Sequence, residues 1–178
     1  MSLEEKYIRS EYLYKGKYSN VRIDTVKLPN EKITTREIIE RPSAVCVVAL
    51  TRENEILLVK QYRCPFKSVL LEVPAGKIDK NEEPEDAIKR ELKEETGAVG
   101  MNYKSLGKLY MTPGFCDEII YLYMCEIEKI EKTQPDEDEF LEIVKIPFET
   151  AISMVLRGEI NDAKTSAIIM KAKLALEI

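Results

Sequence analysis

The sequence contains no histidine in its 178 residues, and this absence removes several kinds of catalytic site. Neither a Ser-His-Asp or Cys-His arrangement nor the HExxH motif of metalloproteases can form without histidine. The four cysteines lie far apart, form no CxxC pair and have no histidine with which to complete a zinc site. They indicate reduced thiols, as expected in a cytosolic protein.

Long apolar segments and a secretion signal are also missing. No apolar run approaches the roughly 18 residues that suggest a membrane span. The first six residues contain neither an apolar stretch nor a cleavage signature, so we expect a cytoplasmic protein without membrane association. The formal net charge of -5 argues against a nucleic-acid partner, because such a partner would require a basic surface.

Carboxylates, in contrast, are abundant, with 32 Asp and Glu residues in the chain. Without histidine, the chemistry must rest on carboxylates, Lys, Arg, Tyr, Cys or a metal ion held by oxygen atoms. Hard divalent cations prefer such oxygen ligands, so Mg²⁺ is the expected cofactor and Mn²⁺ the alternative.

Hydrophobic periodicity predicts a mixed α/β chain. Residues 5–40 alternate between polar and β-prone side chains and predict three short strands in a sheet at the edge of the molecule. The apolar run 44–50 predicts a buried strand, and further strands are predicted from residue 56 and over 69–74, 103–111, 119–128 and 140–146. Helices are predicted over 84–96, 148–157 and 163–174, with a polar, acidic loop over 131–139. This order favours an α/β sandwich over a doubly wound sheet.

The helix predicted over 84–96 breaks local rules of helix design. Its ends follow the rules, since Pro84 suits the first turn and Gly97 the C-terminal cap, as Asp162 suits the N-cap of the last helix. Its glutamates do not. Glu91 shares a face with Glu94 and Glu95, although like charges at this spacing are unfavourable by roughly 0.2–0.5 kcal/mol per pair.

Glu94 and Glu95 also lie in the last turn of this helix, where the helix dipole disfavours anions. A divalent cation would turn the repulsion into a ligand set, which Glu82 could join from the preceding loop. The alternative is a solvated acidic face balanced by Lys and Arg.

The flanks of this helix make the pattern specific. Gly76 ends the segment Glu-Val-Pro-Ala-Gly, which predicts a strand followed by a tight turn that lets the backbone approach a ligand. Residues 76–98 match G-x5-E-x7-R-E-U-x-E-E-x-G-U at every fixed position, where U is a bulky aliphatic residue and Ala98 is a small residue at the last U. This segment resembles the Nudix box.

The resemblance implies a fold, a reaction and a ligand set. The fold would be the Nudix α/β/α sandwich with a mixed sheet, preceded by the antiparallel edge sheet. The reaction would be hydrolysis of a nucleoside diphosphate linked to another group. Glu91, Glu94 and Glu95 would bind Mg²⁺ with the carbonyl of Ala75, and Arg90 would orient the glutamates.

Segments outside the box resemble the ADP-ribose pyrophosphatase subgroup of this family. The similar segments are Arg-Pro-Ser-Ala-Val from residue 41, Lys-Gln-Tyr-Arg-Cys-Pro from residue 60 and Met-Thr-Pro-Gly-Phe-Cys-Asp-Glu from residue 111, which places Pro113 sixteen positions after Gly97. The subgroup implies that ADP-ribose is hydrolysed to AMP and ribose 5-phosphate.

The same resemblance implies further site residues. Arg63 would contact the diphosphate and Glu72 would help to form the pocket. Glu118 would face the terminal ribose or the metal site. A glutamate of the late acidic loop would activate the attacking water; Glu139 fits that position best, and Glu137 is the reserve. Arg41 and Pro113 complete the expected substrate-binding set.

The subgroup also implies a homodimer that exchanges its N-terminal strands. We divide the chain accordingly into an N-terminal strand region, residues 1–42, and a hydrolase domain, residues 43–178. The first region would serve dimerisation and base contacts through tyrosines such as Tyr12, Tyr14 and Tyr18, although strand packing is the better explanation for any one of them taken alone.

Several alternatives stay open at this point. The substrate could be a nucleotide sugar, a dinucleoside polyphosphate or a flavin dinucleotide. The domain could instead bind ADP-ribose without cleaving it, as a sensor, although sensors tend to lose the box glutamates that are present here. A structural protein with an acidic helix face is the third alternative.

Overall fold

The computed structural model describes residues 2–133 and 140–176. The chain forms two compact units. The first comprises Met1–Ser43 and Tyr110–Ile119, and the second comprises Ala44–Leu109 and Ile120–Ile178. Among the described residues, no helix combines the length and the apolar character needed to cross a membrane.

The first unit contains a three-stranded antiparallel sheet in the order β1-β2-β3. The strands are β1 (Lys6–Lys15), β2 (Asn20–Lys27) and β3 (Ile33–Glu40). A short turn joins the first two strands, in which Gly16 N donates to Ser19 O at 3.0 Å. The three strands predicted over residues 5–40 and their antiparallel arrangement are confirmed.

The second unit contains a seven-stranded mixed sheet. Its strands are β4 (Ala44–Leu50), β5 (Glu55–Arg63), β6 (Ser68–Glu72), β7 (Ala75–Lys77), β8 (Ala98–Tyr110), β9 (Ile119–Ile130) and β10 (Leu141–Pro147). The main order is β10-β5-β4-β9-β8, with β6 beside β5 and β7 beside β4. The sheet is mixed because β4 and β9 run parallel while β4 pairs antiparallel with β5 and β7.

Helices pack on both faces of this sheet. They are α1 (Pro84–Thr96), α2 (Phe148–Leu156) and α3 (Ala163–Ala175). Alternate side chains of a strand point to opposite faces, and Val45, Val47 and Ala49 of β4 form one cluster with the buried side of α1. Helix α3 also contacts β4, and its buried Ile168 and Ile169 belong to the core. The α/β sandwich predicted from the sequence is confirmed.

Local signals placed α1 correctly at both ends. Pro84 occupies the start of the helix, where its missing N–H has no intrahelical partner to lose. Gly97 ends it in the left-handed conformation with φ of 70° and donates its N–H to Lys93 O at 2.8 Å. Asp162 caps α3 by accepting a hydrogen bond from Thr165 N, as predicted.

Several strands differ from the predictions. Strand β6 ends at Glu72 rather than at residue 74, because its pairing with β5 ends there, with Glu72 opposite Val59. Strand β8 begins at Ala98 rather than at residue 103, immediately after the Gly97 cap, because Ala98 is buried against the α1 cluster. Strand β7 was not predicted, since Ala-Gly-Lys has low strand propensity and is held by its pairing with β4. Strand β10 begins one residue later than predicted, at Leu141 opposite Gln61.

Candidate active site

Arg90 forms hydrogen bonds with carboxylates of α1 and of the loop before it. Its Nη1 donates to Glu91 Oε1 at 2.7 Å and to Glu94 Oε2 at 3.1 Å. Its Nε and Nη2 donate to the two oxygens of Glu82, both at 2.9 Å, and Nη2 also reaches Lys77 O at 3.0 Å. These contacts, the Glu82 hydrogen bonds foremost, raise the pKa of Arg90 above its usual value. Arg90 therefore holds the glutamates in one orientation.

Gly76 lies directly against the carboxylate of Glu91. A Cβ atom on Gly76 would stand 1.9 Å from Glu91 Cδ, so this position has room for a hydrogen atom alone. The predicted tight turn at Gly76 was wrong: the residue lies in β7, pairs with Val45, and has no left-handed backbone. Glycine is required here by close side-chain approach and not by backbone conformation.

Glu95 is attached to the same short strand. Its side chain is buried, with the residue 4% exposed, and its Oε2 accepts a hydrogen bond from Ala75 N at 3.0 Å. Ala75 and Gly76 are thus each in contact with one glutamate of α1. The predicted metal ligands Ala75, Glu91 and Glu95 are brought together, with Glu94 one helical turn away on the Arg90 side.

The chemistry of this donor set fits a hard divalent cation. Carboxylate and carbonyl oxygens are the ligands that Mg²⁺ and Mn²⁺ prefer. Within residues 2–133 and 140–176, no three Asp, Glu or Cys side chains are already grouped around one point as a cation would require. Arg90 donates to Glu91 and Glu94, and Ala75 N donates to Glu95.

A second arginine–glutamate pair lies on β5 and β6. Arg63 Nε donates to Glu72 Oε1 at 2.6 Å, and Nη2 donates to Oε2 at 2.7 Å. The Glu72 side chain is 2% exposed, whereas that of Arg63 is 39% exposed. Burial alone would raise the pKa of Glu72, but the Arg63 hydrogen bonds and the Lys164 charge outweigh it, so the pKa lies below its usual range. The carboxylate is therefore ionised.

Sequence reasoning missed the partner of this pair on α3. Lys164 Nζ donates to Glu72 Oε2 and, at 3.0 Å, to Asp162 Oδ2. Although burial would lower the pKa of Lys164, the charges of Asp162 and Glu72 raise it above its usual value. One signal could have revealed this residue: a lysine in the first turn of a helix opposes the helix dipole.

Three other predicted residues lie in the first unit. Arg41 Nε forms an ion pair with Glu118 Oε1 at 3.1 Å, and Arg41 N donates to Asp117 Oδ1 at 2.9 Å. Pro113 is exposed in the turn that Cys116 N closes on Thr112 O at 2.9 Å. Substrate contact by these residues stays a prediction. The predicted bases Glu137 and Glu139 lie outside the described residues.

Comparison with known proteins identifies two segments of the chain. Residues 40–167 match the model of the NUDIX domain. Residues 5–39 match the model of the nucleoside diphosphate sugar hydrolase N-terminal domain. The first match covers the mixed sheet up to the start of α3, and the second covers the three-stranded sheet.

Several characterised proteins are similar along nearly the whole chain. The chain is 42% identical over 175 residues to the ADP-ribose pyrophosphatase of Bacillus subtilis, covering 97% of this chain and 95% of that protein. It is 40% identical over 164 residues to the methanol dehydrogenase activator of Bacillus methanolicus, covering 91% and 89% respectively. It is 35% identical over 189 aligned positions to the GDP-mannose pyrophosphatase of Yersinia enterocolitica, covering 98% and 97%.

The fold also has a solved counterpart. A crystal structure described as an ADP compounds hydrolase superposes with a TM-score of 0.89 at 23% identity and covers 99% of this chain and 97% of that one. Members of the matched family generally use divalent metal ions. The box glutamates, the fold and these relatives lead to one conclusion: the chain belongs to the Nudix family and is a pyrophosphohydrolase.

Proposed function

We propose that the protein hydrolyses the pyrophosphate bond of ADP-ribose to AMP and ribose 5-phosphate in a Mg²⁺-dependent reaction. The observation that carries this proposal is the junction between α1 and β7, where Glu91 lies against Gly76 and Glu95 binds Ala75 N. The junction places glutamate side chains of α1 against the backbone of strand β7. The relative from Bacillus subtilis, 42% identical, supports the choice of ADP-ribose.

Glu91, Glu94, Glu95 and the carbonyl of Ala75 would hold Mg²⁺, with Mn²⁺ as the alternative ion. When bound, the cation neutralises charge on the diphosphate and makes a water molecule easier to deprotonate. Arg90 keeps Glu91 and Glu94 within reach of one another, since its Nη1 donates to both. Its bonds to Glu82 and Lys77 O fix its own position.

Arg63 would bind the diphosphate of the substrate. Its guanidinium is held on one side by two hydrogen bonds to Glu72, while the other side is accessible. Arginine presents several donors in a rigid plane and therefore suits phosphate oxygens. A carboxylate of the late acidic loop, Glu139 with Glu137 in reserve, would accept the proton of the attacking water.

A nucleotide sugar is the second candidate substrate. The N-terminal segment matches the nucleoside diphosphate sugar hydrolase model, and the relative from Yersinia enterocolitica is named a GDP-mannose pyrophosphatase. Both substrates share a nucleoside diphosphate, so the α1 glutamates and Arg63 would serve either one. A non-catalytic ADP-ribose sensor fits less well, because every glutamate of the box is present.

We further propose a cytoplasmic homodimer in which N-terminal strands are exchanged. Strand β1 is an edge strand of its sheet and exposes large apolar side chains along its length, namely Tyr7, Ile8, Tyr12, Leu13 and Tyr14. An exposed strand at the edge of a sheet favours association. Sedimentation equilibrium of the intact protein and of Leu13→Lys tests this: we expect a dimer that the substitution weakens.

A substrate panel tests the proposed reaction. Purified protein is incubated with ADP-ribose, GDP-mannose or a dinucleoside polyphosphate, in Mg²⁺ or in EDTA, and the nucleotide products are separated by chromatography. We expect AMP from ADP-ribose in Mg²⁺, formed faster than product from the other substrates, and none in EDTA. Faster cleavage of GDP-mannose would show that a nucleotide sugar, and not ADP-ribose, is the preferred substrate. Binding of ADP-ribose without turnover of any substrate would support the sensor hypothesis.

A further inference from the structure

We propose that Lys164 of α3 is a positioning residue of the active site, which orients Glu72 so that Arg63 presents its open side to the substrate diphosphate. The inference rests on the proposed diphosphate contact of Arg63. It adds a residue about a hundred positions away in the sequence, outside the Nudix box and its flanks. The contacts of four charged side chains carry it.

These four side chains form a balanced cluster with little exposure. Glu72 and Asp162 supply two negative charges, and Arg63 and Lys164 supply two positive charges. The Lys164 side chain is 11% exposed and that of Glu72 is 2% exposed. Buried charges require partners, and here each carboxylate binds a cation. Lys164 therefore helps to keep Glu72 ionised next to Arg63.

The hydrogen bonds show how Lys164 would act on Arg63. Glu72 Oε1 binds Arg63 Nε, whereas Oε2 binds both Arg63 Nη2 and Lys164 Nζ. A paired guanidinium and carboxylate prefer one common plane. Because Lys164 binds one oxygen from the α3 side, it fixes the rotation of the carboxylate and hence the plane of the guanidinium.

Arg63 keeps donors for a ligand in this arrangement. In the described part of the chain, its Nη1 has no hydrogen-bond partner, and the side chain is 39% exposed. Rotation of the Glu72 carboxylate would turn this open edge away from its present direction. Lys164 consequently sets the orientation of Arg63 Nη1 without touching Arg63, because Glu72 lies between them and contacts both.

Lys164 is itself held firmly by the start of α3. Asp162 Oδ2 accepts from Lys164 Nζ at 3.0 Å, from Thr165 N at 2.9 Å and from Thr165 Oγ1 at 2.6 Å. Thr165 Oγ1 in turn accepts from Val73 N at 3.0 Å, next to Glu72 in the chain. Two contacts thus join the start of α3 to the end of β6. One is the Lys164–Glu72 ion pair, and the other is the hydrogen bond from the Val73 backbone N–H to the Thr165 hydroxyl.

The same segment continues to the α1 glutamates. Glu72 and Val73 bind α3, and Ala75 N binds Glu95 two residues later. Four consecutive residues, 72–75, therefore link the arginine proposed for the diphosphate with the helix proposed for the cation. Lys164 lies at the Glu72 end of this segment, where it contacts the partner of Arg63.

The position of Lys164 is hard to explain by stability alone. A lysine in the first turn of a helix meets the positive end of the helix dipole. Replacing buried ion pairs by apolar residues is often neutral or stabilising, so burial of the pair is weak evidence for a stabilising role. A lysine that opposes the helix dipole beside the proposed diphosphate contact of Arg63 favours a functional role for Lys164.

The test uses Lys164→Met, which keeps an unbranched side chain one atom shorter than lysine and removes its charge. Lys171→Met, on the same helix, is the control for loss of one positive charge. We expect Lys164→Met to lower kcat/KM by about 10- to 100-fold, the usual scale for residues that orient a binding group. Binding of α,β-methylene-ADP, which resists hydrolysis, should weaken in parallel by calorimetry, while Lys171→Met should match the wild type in both.

A double-mutant cycle separates positioning from general support of the fold. In the Arg63→Met background, Lys164→Met should cause no further loss of kcat/KM or nucleotide affinity, because its effect passes through Arg63. Equal losses in both backgrounds, or wild-type values for Lys164→Met alone, would overturn the inference. Lys164→Gln, which keeps a hydrogen-bond donor, replaces the Met variant if that protein does not fold by circular dichroism.

The outcomes also separate this inference from the proposed function. If another nucleoside diphosphate derivative is cleaved faster than ADP-ribose, the proposed substrate fails and the cycle is measured with the faster one. If no substrate is cleaved, the cycle is measured by binding of α,β-methylene-ADP. If Arg63→Met leaves activity and binding unchanged, the role of Lys164 is overturned whatever the substrate.

Discussion

The second unit holds two arginine–glutamate clusters that are built differently. In the first, one guanidinium, that of Arg90, donates to the three carboxylates of Glu82, Glu91 and Glu94. In the second, two cations, Arg63 and Lys164, donate to the one carboxylate of Glu72. Lys164 also donates to Asp162, which lies at the start of α3.

This difference separates two uses of the same residue types. Several carboxylates held close together supply the oxygen ligands that a divalent cation prefers, so the Arg90 cluster suits a metal-binding role. A single carboxylate held by two cations, as Glu72 is, can keep its partners in fixed positions while leaving one edge of Arg63 accessible. We interpret the two clusters as the metal-binding and diphosphate-binding parts of one site.

The largest expected effect is the loss of the Glu95 carboxylate, which lies on the same helix as the Arg90 cluster and accepts from Ala75 N. Glu95→Gln keeps the shape of a buried side chain but removes its charge. We expect kcat with the best substrate to fall on the order of 10²- to 10³-fold, the scale of losing one electrostatic group from a catalytic site. Glu85→Gln, an exposed acid paired with Lys89 on the same helix, should retain wild-type activity. Unchanged turnover of Glu95→Gln would remove it from the metal set.

The next effect comes from Gly76. In Gly76→Ala, the new Cβ overlaps the end of Glu91, a flexible group that can turn away, so the fold should survive. We expect kcat to fall by about 10²-fold because one ligand is displaced. The melting temperature should change little more than in Gly114→Ala, where the added Cβ meets nothing within 4 Å. Full activity of Gly76→Ala would show that Glu91 does not need its present position.

A smaller effect, on stability, is expected at the balanced cluster. Asp162→Ala removes both the N-cap of α3 and the partner of Lys164. We expect the free energy of unfolding, measured with urea, to fall by about 1–2 kcal/mol. Asp162→Asn should lose less, since it still accepts from Thr165 N but lacks the charge. Equal losses in the two variants would assign the whole effect to the ion pair and none to the cap.

The smallest effect is a pH dependence at Glu72. Because its pKa in the folded state lies below the usual 4.5, ionised Glu72 contributes stability that is present above this pH and is lost as the pH falls through the folded pKa. The difference in unfolding free energy between wild type and Glu72→Gln should therefore narrow below about pH 4.5. Glu53→Gln, in an exposed turn, is the control. A constant difference would contradict the depressed pKa.

Much of the fold could be predicted from local signals. The apolar run 44–50 is strand β4 with the predicted bounds, and α1 runs from Pro84 to Thr96 as predicted. Both elements are specified by residues that are neighbours in the chain. Strand β7 and the early start of β8 escaped prediction because pairing with β4 and burial against α1, rather than propensity, hold them in place.

The candidate site divides in the same way. The spacing of residues 76–98 was enough to single out Arg90, Glu91, Glu94 and Glu95, since a helix places such spacings on one face. The reason for Gly76 was predicted wrongly, because the crowding atom belongs to a residue fifteen positions later. Lys164 was not predicted as a site residue at all.

The sequence by itself determined which chemistry is available: carboxylates without histidine, arranged on one helix behind a glycine. It also determined the helix ends and the apolar strands, because these depend on short-range sterics, capping and periodicity. Tertiary structure alone decided that Glu91 abuts Gly76 and that Lys164 meets Glu72 across 92 positions of sequence. Such contacts depend on how strands and helices pack, and no local pattern encodes which distant charges share one buried site.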